Sequence, residues 1–577
     1  MTANYDLVIR GGTLADGTGA TLREADIAIN GARIAAVGAV SGSGREEINA
    51  KGQLVTPGFV DIHTHYDGQA TWDQQIAPSS WHGVTTAVMG NCGVGFAPVR
   101  PKDHNRLIEL MEGVEDIPGA ALHEGLSWDW QSFPDYLDTL AARRFDIDIC
   151  AQLPHGALRV FVMGERGANL DPASPGDIAE MRSLTAEAMR AGAIGFSTSR
   201  TINHRTVTGD PTPSLRATEA ELMGIAMGIK DAGSGVIEMI SDFDTPDQAS
   251  EFAMIRRVME ASGRPLSLSL AQTHGGPEGW RSLLRLIEDA AEDGLPICGQ
   301  VAPRPIGVLY GLQASLNPFA SLTAYRDIAD KSHNDRLAAF RDPSFRKTIL
   351  AEAGMAKSTG PARRLMAFDR MFALGTTPDY EPAQALSITN IAAREGRLPQ
   401  DVAYDYMLED DGKSFLFAPF ANYAHYNLDA CGEMMASKHT VMGLGDGGAH
   451  VGLISDASFP TYLLSHWGRD RGHGRFDLSW LVKRQTADTA RAVGLLDRGI
   501  IAPGMKADVN IIDFDRLAVA APEMAFDLPA GGKRLLQRAH GYTATIVSGA
   551  IIYRDGEATG ALPGRLVRGP QSAPARH

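Results

Sequence analysis

Hydrophobic and polar residues alternate in two different ways along this chain. Near both ends, short apolar segments with a period of two are separated by turns that contain glycine. These segments are residues 5–10, 26–30, 33–37, 507–513, 543–548 and 551–553. Such a pattern predicts hairpins and small β-sheets. In the middle of the chain, short apolar runs alternate with longer stretches of helical period, which predicts strands that alternate with helices.

Eight apolar runs in the middle of the chain predict parallel strands. They are residues 59–65, 85–91, 147–153, 193–197, 235–240, 265–270, 296–301 and 441–446. The helical stretches between them include residues 177–191, 219–232, 250–262 and 280–293. Strands and helices in this alternation predict an α/β fold, a (β/α)8 TIM-like barrel. An open doubly wound sheet is the alternative, but no Gly-x-Gly-x-x-Gly follows the first of these strands.

The terminal β segments predict a second, smaller domain, a β-sandwich built from both ends of the chain. We expect residues 1–56 and 491–577 to form this sandwich and a tail, and residues 57–490 to form the barrel. About 140 residues separate the last two strand candidates, which predicts an insertion near residues 305–435. A shorter insertion is expected near residues 100–140, as a cap over the barrel mouth.

The composition narrows the classes of function. Among 577 residues, 54 Lys and Arg stand against 69 Asp and Glu, so the formal net charge is -15. Such a chain repels polyphosphate, which disfavours nucleic acid as a partner. No apolar run reaches the length of a membrane span. The four cysteines form no Cys-x-x-Cys pair and the first residues lack a signal-peptide pattern, so a cytoplasmic location is expected.

The strongest chemical motif lies at the end of the first predicted barrel strand. Asp61, His63 and His65 alternate with apolar residues and therefore share the face that is expected to point into the barrel. Two imidazoles at this spacing can bind one metal ion. The alternative is a pair of ordinary buried histidines. In that case two polar rings would lie side by side inside the barrel without a common ligand to explain them.

Two further motifs end other predicted strands. Cys92 follows the second strand, where a thiolate would be a soft ligand for zinc, although an isolated buried cysteine is more often a small apolar residue. Asp446 ends the last strand and is followed by glycines. A carboxylate there can contact a metal and accept a proton from water, whereas a helix cap is the alternative role.

Together these motifs resemble the amidohydrolase superfamily, and further stretches resemble its N-acyl-D-amino-acid deacylase (D-aminoacylase-like) branch. Those stretches are Gly-Val-Thr-Thr with Gly90-Asn-Cys-Gly93, His155-Gly-Ala-Leu-Arg159, and Asp-Arg-Gly-x-Ile-x-Pro-Gly-x-x-Ala-Asp at residues 497–508. The resemblance implies a zinc ligand at Cys92. It also implies that metal-activated water, with Asp446 as the general base, hydrolyses the amide bond of an N-acyl amino acid or a related N-acyl compound.

The chain departs from that branch at two of the predicted strands. The branch carries a histidine at the end of strand five and another at the end of strand six. The matching segments here, residues 237–242 and 267–272, contain no histidine in register, and His274 comes two or three positions late. The branch's lysine, which helps to hold the substrate carboxylate, is replaced by Gln272 or Thr273.

The expected metal site therefore differs from that of the branch. We expect one zinc ion, or another divalent metal, rather than two. The expected ligands are His63, His65, Cys92, Asp446 and, as a substitute ligand, Glu238. A salt bridge inside the barrel is the alternative role for Glu238, and loss of metal affinity is the alternative for the whole site.

Five residues are candidates for contacts with the substrate. They are Arg304, Ser199, His155, Gln272 and His274. The expected partner is a small-molecule amide, with a cyclic amide, a lactone or a bulkier amide as the alternative among hydrolases. Outside the enzymes, the alternative is a metal-poor barrel that serves binding or assembly. The resemblance also allows a homo-oligomer.

Overall fold

The fold is described here from a computed structural model that covers residues 4–243, 247–355 and 365–575. Its strands are β1 (Tyr5–Leu14), β2 (Arg23–Asn30), β3 (Arg33–Gly38), β4 (Gly44–Asn49), β5 (Leu54–Pro57), β6 (Phe59–Asp61), β7 (Val84–Met89), β8 (Asp148–Pro154), β9 (Gly195–Arg200), β10 (Val236–Ser241), β11 (Leu266–Ser269), β12 (Ile297–Val301), β13 (Ile306–Tyr310), β14 (Phe372–Ala373), β15 (Leu416–Ala421), β16 (Thr440–Met442), β17 (Val509–Ile512), β18 (Ala518–Leu528), β19 (Gly532–His540), β20 (Tyr542–Val547), β21 (Ala550–Arg554) and β22 (Glu557–Ala558).

The helices lie mainly between the barrel strands and in the insertions. They are Gln69–Trp72, His104–Glu115, Gly119–Gly125, Phe133–Ala141, His155–Met163, Glu165–Ala168, Pro175–Ala191, Glu219–Ala232, Gln248–Ser262, Gly279–Glu292, Thr323–Arg326, His333–Arg341, Pro343–Met355, Ile388–Glu395, Pro399–Gly412, Asp429–Ala436, Phe459–Ser465, Leu478–Gln485 and Ala487–Ala492. None of the described helices is long and apolar enough to cross a lipid bilayer.

A parallel barrel forms the centre of the molecule. In the described part of the chain, eight strands pair in the order β6, β7, β8, β9, β10, β11, β12 and β16. A bridge between Thr64 and Gly447 joins the two ends, and the backbone N of His65 donates a 2.7 Å hydrogen bond to the carbonyl oxygen of Gly447. Each strand overlaps one of the predicted apolar runs. The predicted (β/α)8 barrel with a second β domain is confirmed.

The second β domain combines the two ends of the chain. In the described residues its sheet follows the order β22, β21, β20, β17, β5, β1, β2 and β3, with β4 paired to β1. Strand β17 lies between β5 and β20, so a C-terminal strand is inserted beside an N-terminal one. Alternate residues of these strands, among them Ile9, Ile27, Val509 and Ile546, form its buried core. This packing explains why both ends carry the same period-two pattern.

Long insertions extend the barrel at its mouth. The chain between β12 and β16 forms the small sheet of β13, β15 and β14 and a helical core of its own. The helix His104–Glu115 and the two helices after it lie between β7 and β8. Trp128 stacks on His104 with ring centroids 4.0 Å apart, and Trp130 Nε1 donates to the carbonyl oxygen of Phe96 at 2.8 Å. The stacked pair joins two parts of the shorter insertion, and the hydrogen bond fixes the insertion against the loop after β7.

A buried ion network joins the barrel to the C-terminal segment. Asp148 of β8 accepts from Arg498 Nη1 at 2.8 Å and lies 3.2 Å from Lys506 Nζ. Arg498 also contacts Asp497 at 2.9 Å, and Lys506 contacts Asp508 at 2.5 Å. Removing one partner of a buried network leaves uncompensated charges away from water.

We expect Asp148→Ala to lower the free energy of unfolding by about 3–5 kcal/mol, because Arg498 and Lys506 would lose their shared carboxylate. The matched control is Asp138→Ala, whose exposed carboxylate pairs with Arg568 at 2.5 Å and should contribute about 0–1 kcal/mol. Urea denaturation of the two variants and the unmodified protein measures the difference. Equal stability of the two variants would contradict the structural role of this network.

Candidate metal centre

Imidazole, thiol and carboxylate groups converge at the C-terminal end of the barrel. His63, His65 and Cys92 each place a ligand atom within 4.8 Å of the others. The Sγ atom of Cys92 lies 3.3 Å from His63 Nε2. Asp446 Oδ1 lies 3.3 Å from His63 Nε2 and 3.6 Å from His65 Nε2. The structure therefore brings three of the predicted ligands together, with Asp446 beside the two imidazoles.

The tautomer of His63 is fixed by a partner on the far side of its ring. His63 Nδ1 lies 2.8 Å from Oε1 of Gln300, and the Gln300 amide nitrogen donates to Ser267 Oγ at 2.8 Å. Because an amide oxygen only accepts hydrogen bonds, Nδ1 of His63 carries the proton. The lone pair of Nε2 then faces Cys92 and Asp446, as metal ligation requires.

The first two histidines are placed by the end of a strand. Strand β6 ends at Asp61, and residues 62–65 continue along the barrel without regular pairing. Val60 and Ile62 pack outward in an apolar cluster, so the alternate residues point inward. Asp61 Oδ1 accepts from the backbone N of His63 at 3.1 Å, which holds the turn of the chain at this position.

The loop after β7 carries Cys92 in a left-handed backbone conformation. Its φ is 54°, and the φ of Gly90 is 82°. A Cβ atom at Gly90 would lie 2.4 Å from the carbonyl oxygen of Gln152, so this close approach requires glycine. The turn aims the thiol back towards His63.

The loop that carries Asp446 begins earlier than predicted. Strand β16 ends at Met442, four residues before the predicted end. Leu444 and Asp446 have φ values of 59° and 43°, and a left-handed backbone cannot continue a strand. Non-glycine residues in this conformation are strained and concentrate at functional sites.

Burial and charge act in opposite directions on the ionisable groups of the centre. Burial raises the pKa of Glu238 and of Asp61 to about 7 in each case. Burial also raises the pKa of the Cys92 thiol, and the carboxyls of Glu238, Glu115 and Asp446 raise it further. For Asp446 burial is outweighed by its interactions with histidines, and its pKa lies well below the ordinary value. Asp446 is thus the carboxylate that keeps its charge.

Glu238 has a carboxylate oxygen that nothing in the described chain satisfies. Its Oε2 accepts from the backbone N of Cys92 at 2.9 Å. Its Oε1 is buried and has no hydrogen-bond partner among the described residues. An unpartnered buried carboxylate oxygen is costly, and a cation would satisfy it. A donor set of imidazole, thiolate and carboxylate fits a divalent ion such as zinc.

Comparisons with known proteins agree with this site and fold. The amidohydrolase family matches residues 46–553 of the chain. The chain belongs to the amidohydrolase family. D-aminoacylase of Alcaligenes xylosoxydans xylosoxydans is similar, with 27% identity over 583 residues, 98% of this chain and 97% of that protein. The resemblance to the D-aminoacylase-like branch is confirmed.

Two solved structures share the fold of this amidohydrolase. One is N-acyl-D-glutamate deacylase from Bordetella bronchiseptica, complexed with zinc and a phosphonate inhibitor. It has a TM-score of 0.64 and 23% identity, and the match covers 98% of this chain and 99% of that chain. The other is a D-aminoacylase described for its binuclear metal centre, with a TM-score of 0.64, 24% identity, and coverage of 98% and 100%.

Two of the predicted substrate contacts of the amidohydrolase lie close to charged or polar partners. Ser199 Oγ is 3.0 Å from His204 Nδ1, and the charges of the centre act on His204. Arg304 is 1% exposed, contacts Asp456 at 2.6 Å and lies 3.7 Å from the ring centre of Tyr380. Arg304 and Asp456 form a buried ion pair, because each side chain is only 2% exposed.

Two of the other three predicted contacts, His155 and Gln272, form hydrogen bonds within the chain instead, which corrects the prediction for these two. His155 uses one ring nitrogen on Thr198 at 2.8 Å and the other on Glu221 at 3.0 Å. Gln272 donates to the carbonyl oxygen of Pro277 at 3.1 Å and accepts from the backbone N of Ala424 at 2.9 Å. The charges of Arg370 and Asp369 in the long insertion act on His274, whose Nε2 has no hydrogen-bond partner among the described residues, so its contact with substrate stays a prediction.

Sequence reasoning missed two residues of the centre, Gln300 and Glu115. Gln300 is a lone polar residue in the apolar run that forms β12, and this contrast is a signal that could have identified it. Glu115 lies in the shorter insertion, 1% exposed, with Oε1 3.3 Å from His65 Nδ1. No motif surrounds Glu115, so only the folded chain identifies it.

We expect the apparent zinc affinity of the amidohydrolase to fall as the pH is lowered from 8 to 6. A bound ion displaces the protons of Cys92 and Glu238, whose pKa values burial raises, so protons compete more strongly at low pH. The expected loss is about tenfold per pH unit for each ligand that is still protonated. Titration against a chromogenic chelator at several pH values measures the affinity.

Cys92→Ala should weaken zinc binding and flatten its pH dependence. The matched control is Cys298→Ala, which removes a thiol of β12 that lies outside the converging set. Affinity that is independent of pH, or an unchanged affinity in Cys92→Ala, would remove Cys92 from the centre.

Proposed function

We propose that this protein hydrolyses the amide bond of a small N-acyl compound, such as an N-acyl amino acid, with one divalent ion, zinc. The observation that carries this proposal is the convergence of Nε2 of His63 and His65, Sγ of Cys92 and Oδ1 of Asp446. The unpartnered oxygen of Glu238 beside them supports it. So do the names of the relatives, D-aminoacylase and N-acyl-D-glutamate deacylase.

His63, His65, Cys92 and Glu238 would hold the ion, and Asp446 would contact it from the mouth. A bound divalent ion polarises the amide carbonyl and lowers the pKa of a water from 15.7 to about 7. The side chain of Asp446 is 17% exposed, against 1% for the two histidines, so it faces the direction from which substrate and water arrive.

Asp446 is suited to the role of general base. Its contacts with His65 and His63 keep it ionised at neutral pH. It accepts a proton from the attacking water as the new C–O bond forms at the amide carbon. It then gives that proton to the nitrogen as the C–N bond breaks, so that the products are a carboxylic acid and an amine.

The ligand set favours one ion over two. Strand β10 offers the carboxylate of Glu238 where the branch has a histidine, and β11 offers Leu266–Ser269 without an imidazole. A solved D-aminoacylase is described as having one-metal activation and second-metal attenuation in a binuclear centre. That description is consistent with a single ion being sufficient in this chain.

Arg304 is the proposed contact for a substrate carboxylate, and Ser199 for the remainder of the substrate. The Nε and Nη1 atoms of Arg304 have no hydrogen-bond partner among the described residues. The charge of Asp446 acts on Asp456, the partner of Arg304, and this proximity supports the proposed contact. A guanidinium with free N–H groups matches a carboxylate.

We expect Asp446→Asn to lower kcat/KM for N-acetyl-D-amino acids by about 10²–10⁴-fold or more, because the general base is lost. Asp515→Asn, an equivalent change at an exposed position, should leave the rate unchanged. Amine release from a panel of N-acetyl-D- and N-acetyl-L-amino acids measures the rates, with zinc content determined in parallel. A rate for Asp446→Asn equal to that of the unmodified zinc-loaded protein would contradict the proposal.

A further inference from the structure

The two histidines of the centre differ in what lies behind their rings. His63 is backed by the amide oxygen of Gln300, at 2.8 Å from Nδ1. His65 is backed by a carboxylate, because Oε1 of Glu115 lies 3.3 Å from its Nδ1. In both rings the atom turned away from the partner is Nε2, and both Nε2 atoms face Asp446. Both histidines therefore turn Nε2 towards Asp446, but an amide group lies behind His63 and a carboxyl group lies behind His65.

The contact between Glu115 and His65 is buried and incomplete. Both side chains are 1% exposed. Nδ1 of His65 and Oε2 of Glu115 have no hydrogen-bond partner among the described residues. Nδ1 of His65 and Oε1 of Glu115 lie 3.3 Å apart but are not aligned as a hydrogen bond, so a small reorientation of the ring or of the carboxyl group would complete it. Oε2 of Glu115 lies 3.6 Å from Nε2 of His450.

The position of Glu115 is set by the chain on both sides of it. Glu115 is the last residue of its helix, and Asp116 follows with a φ of 50°. Asp116 Oδ2 accepts from the backbone N of Gly452 and from Ser315 Oγ, at 3.0 Å in each case. These bonds tie the end of the helix to the loop that follows Asp446 and to the long insertion.

The other side of the helix is fixed by close packing. A Cβ atom at Gly113 would lie 2.1 Å from the backbone carbon of Thr206, so the loop after β9 rests directly on the helix. The backbone N of Val207 donates to the carbonyl oxygen of Glu109 at 3.0 Å. The packing of its helix on both sides therefore holds Glu115 beside His65.

We propose that Glu115 is a positioning residue of the metal centre, which accepts the Nδ1 proton of His65 and holds Nε2 towards the ion. This proposal rests on the proposed function. Carboxylate or carbonyl partners of this kind fix the tautomer of a ligand histidine and raise its basicity, and their loss typically costs 10–100-fold in metal affinity. Through Glu115, the inserted helix would influence metal binding by way of His65.

The test compares zinc affinity in Glu115→Ala, Glu115→Gln and Glu109→Gln. Glu109 lies on the same helix with an exposed side chain, so its variant makes the same change of charge away from the centre. Competition with a chromogenic chelator gives the affinity, and the visible spectrum of the cobalt-substituted protein reports the geometry of the ligands. Circular dichroism and thermal unfolding of the metal-free proteins verify that each variant is folded.

We expect about 10–100-fold weaker zinc binding and an altered cobalt spectrum in Glu115→Ala. Glu115→Gln should lie between that variant and the unmodified protein, because its amide oxygen can still accept the proton but carries no charge. Glu109→Gln should match the unmodified protein. Glu115→Gln is close in size to the native residue, so it keeps the test valid if Glu115→Ala fails to fold.

Failure of this inference differs from failure of the proposed function. If the unmodified protein and both folded Glu115 variants bind zinc with equal affinity and equal cobalt spectra, the role of Glu115 is overturned while the metal centre stands. If the unmodified protein binds neither zinc nor cobalt, the proposed function is overturned, and the inference with it.

Discussion

The structure depends on the burial of mutually repelling acidic groups at the mouth of the barrel. The carboxyls of Glu238 and Glu115 and the thiol of Cys92 lie almost entirely out of water, and the side chain of Asp446 beside them is 17% exposed. Burial raises the pKa of Glu238 to about 7 and the pKa values of Glu115 and Cys92 well above their ordinary values, so without a cation these three groups are driven towards their neutral forms, whereas Asp446 stays ionised. A divalent ion reverses this balance, because its charge favours the thiolate and the carboxylates together.

The rest of the fold holds these carboxyl groups and the thiol close to one another. The bridge between Thr64 and Gly447 closes the barrel directly beside His65. The left-handed conformations of Cys92 and Asp446 turn their side chains back over the barrel. The inserted helix that ends at Glu115 covers the same point from outside. The barrel thus supplies most of the ligands and the insertion completes their environment.

The sequence could predict the ligands that follow from strand geometry. His63, His65 and Asp446 stand at the ends of recognisable apolar runs, and strand ends of a parallel barrel meet at one mouth, so their convergence follows from the fold class. Glu115 could not be predicted, because an insertion has no period that fixes which of its acidic residues turns inward. The buried pairing of His155 with Glu221 could not be predicted either, because Glu221 lies on a separate helix far along the chain.

In the proposed centre, one ion is bound by a sulfur ligand and by nitrogen or oxygen ligands of this chain. Zinc K-edge X-ray absorption of the stoichiometric zinc complex tests this most directly, because it identifies the atoms bound to the metal. The structure predicts a mixed first shell, with one sulfur at about 2.3 Å from Cys92 and nitrogen or oxygen ligands at about 2.0–2.2 Å. A shell without sulfur, or a spectrum of zinc surrounded by oxygen alone, would contradict the proposed centre.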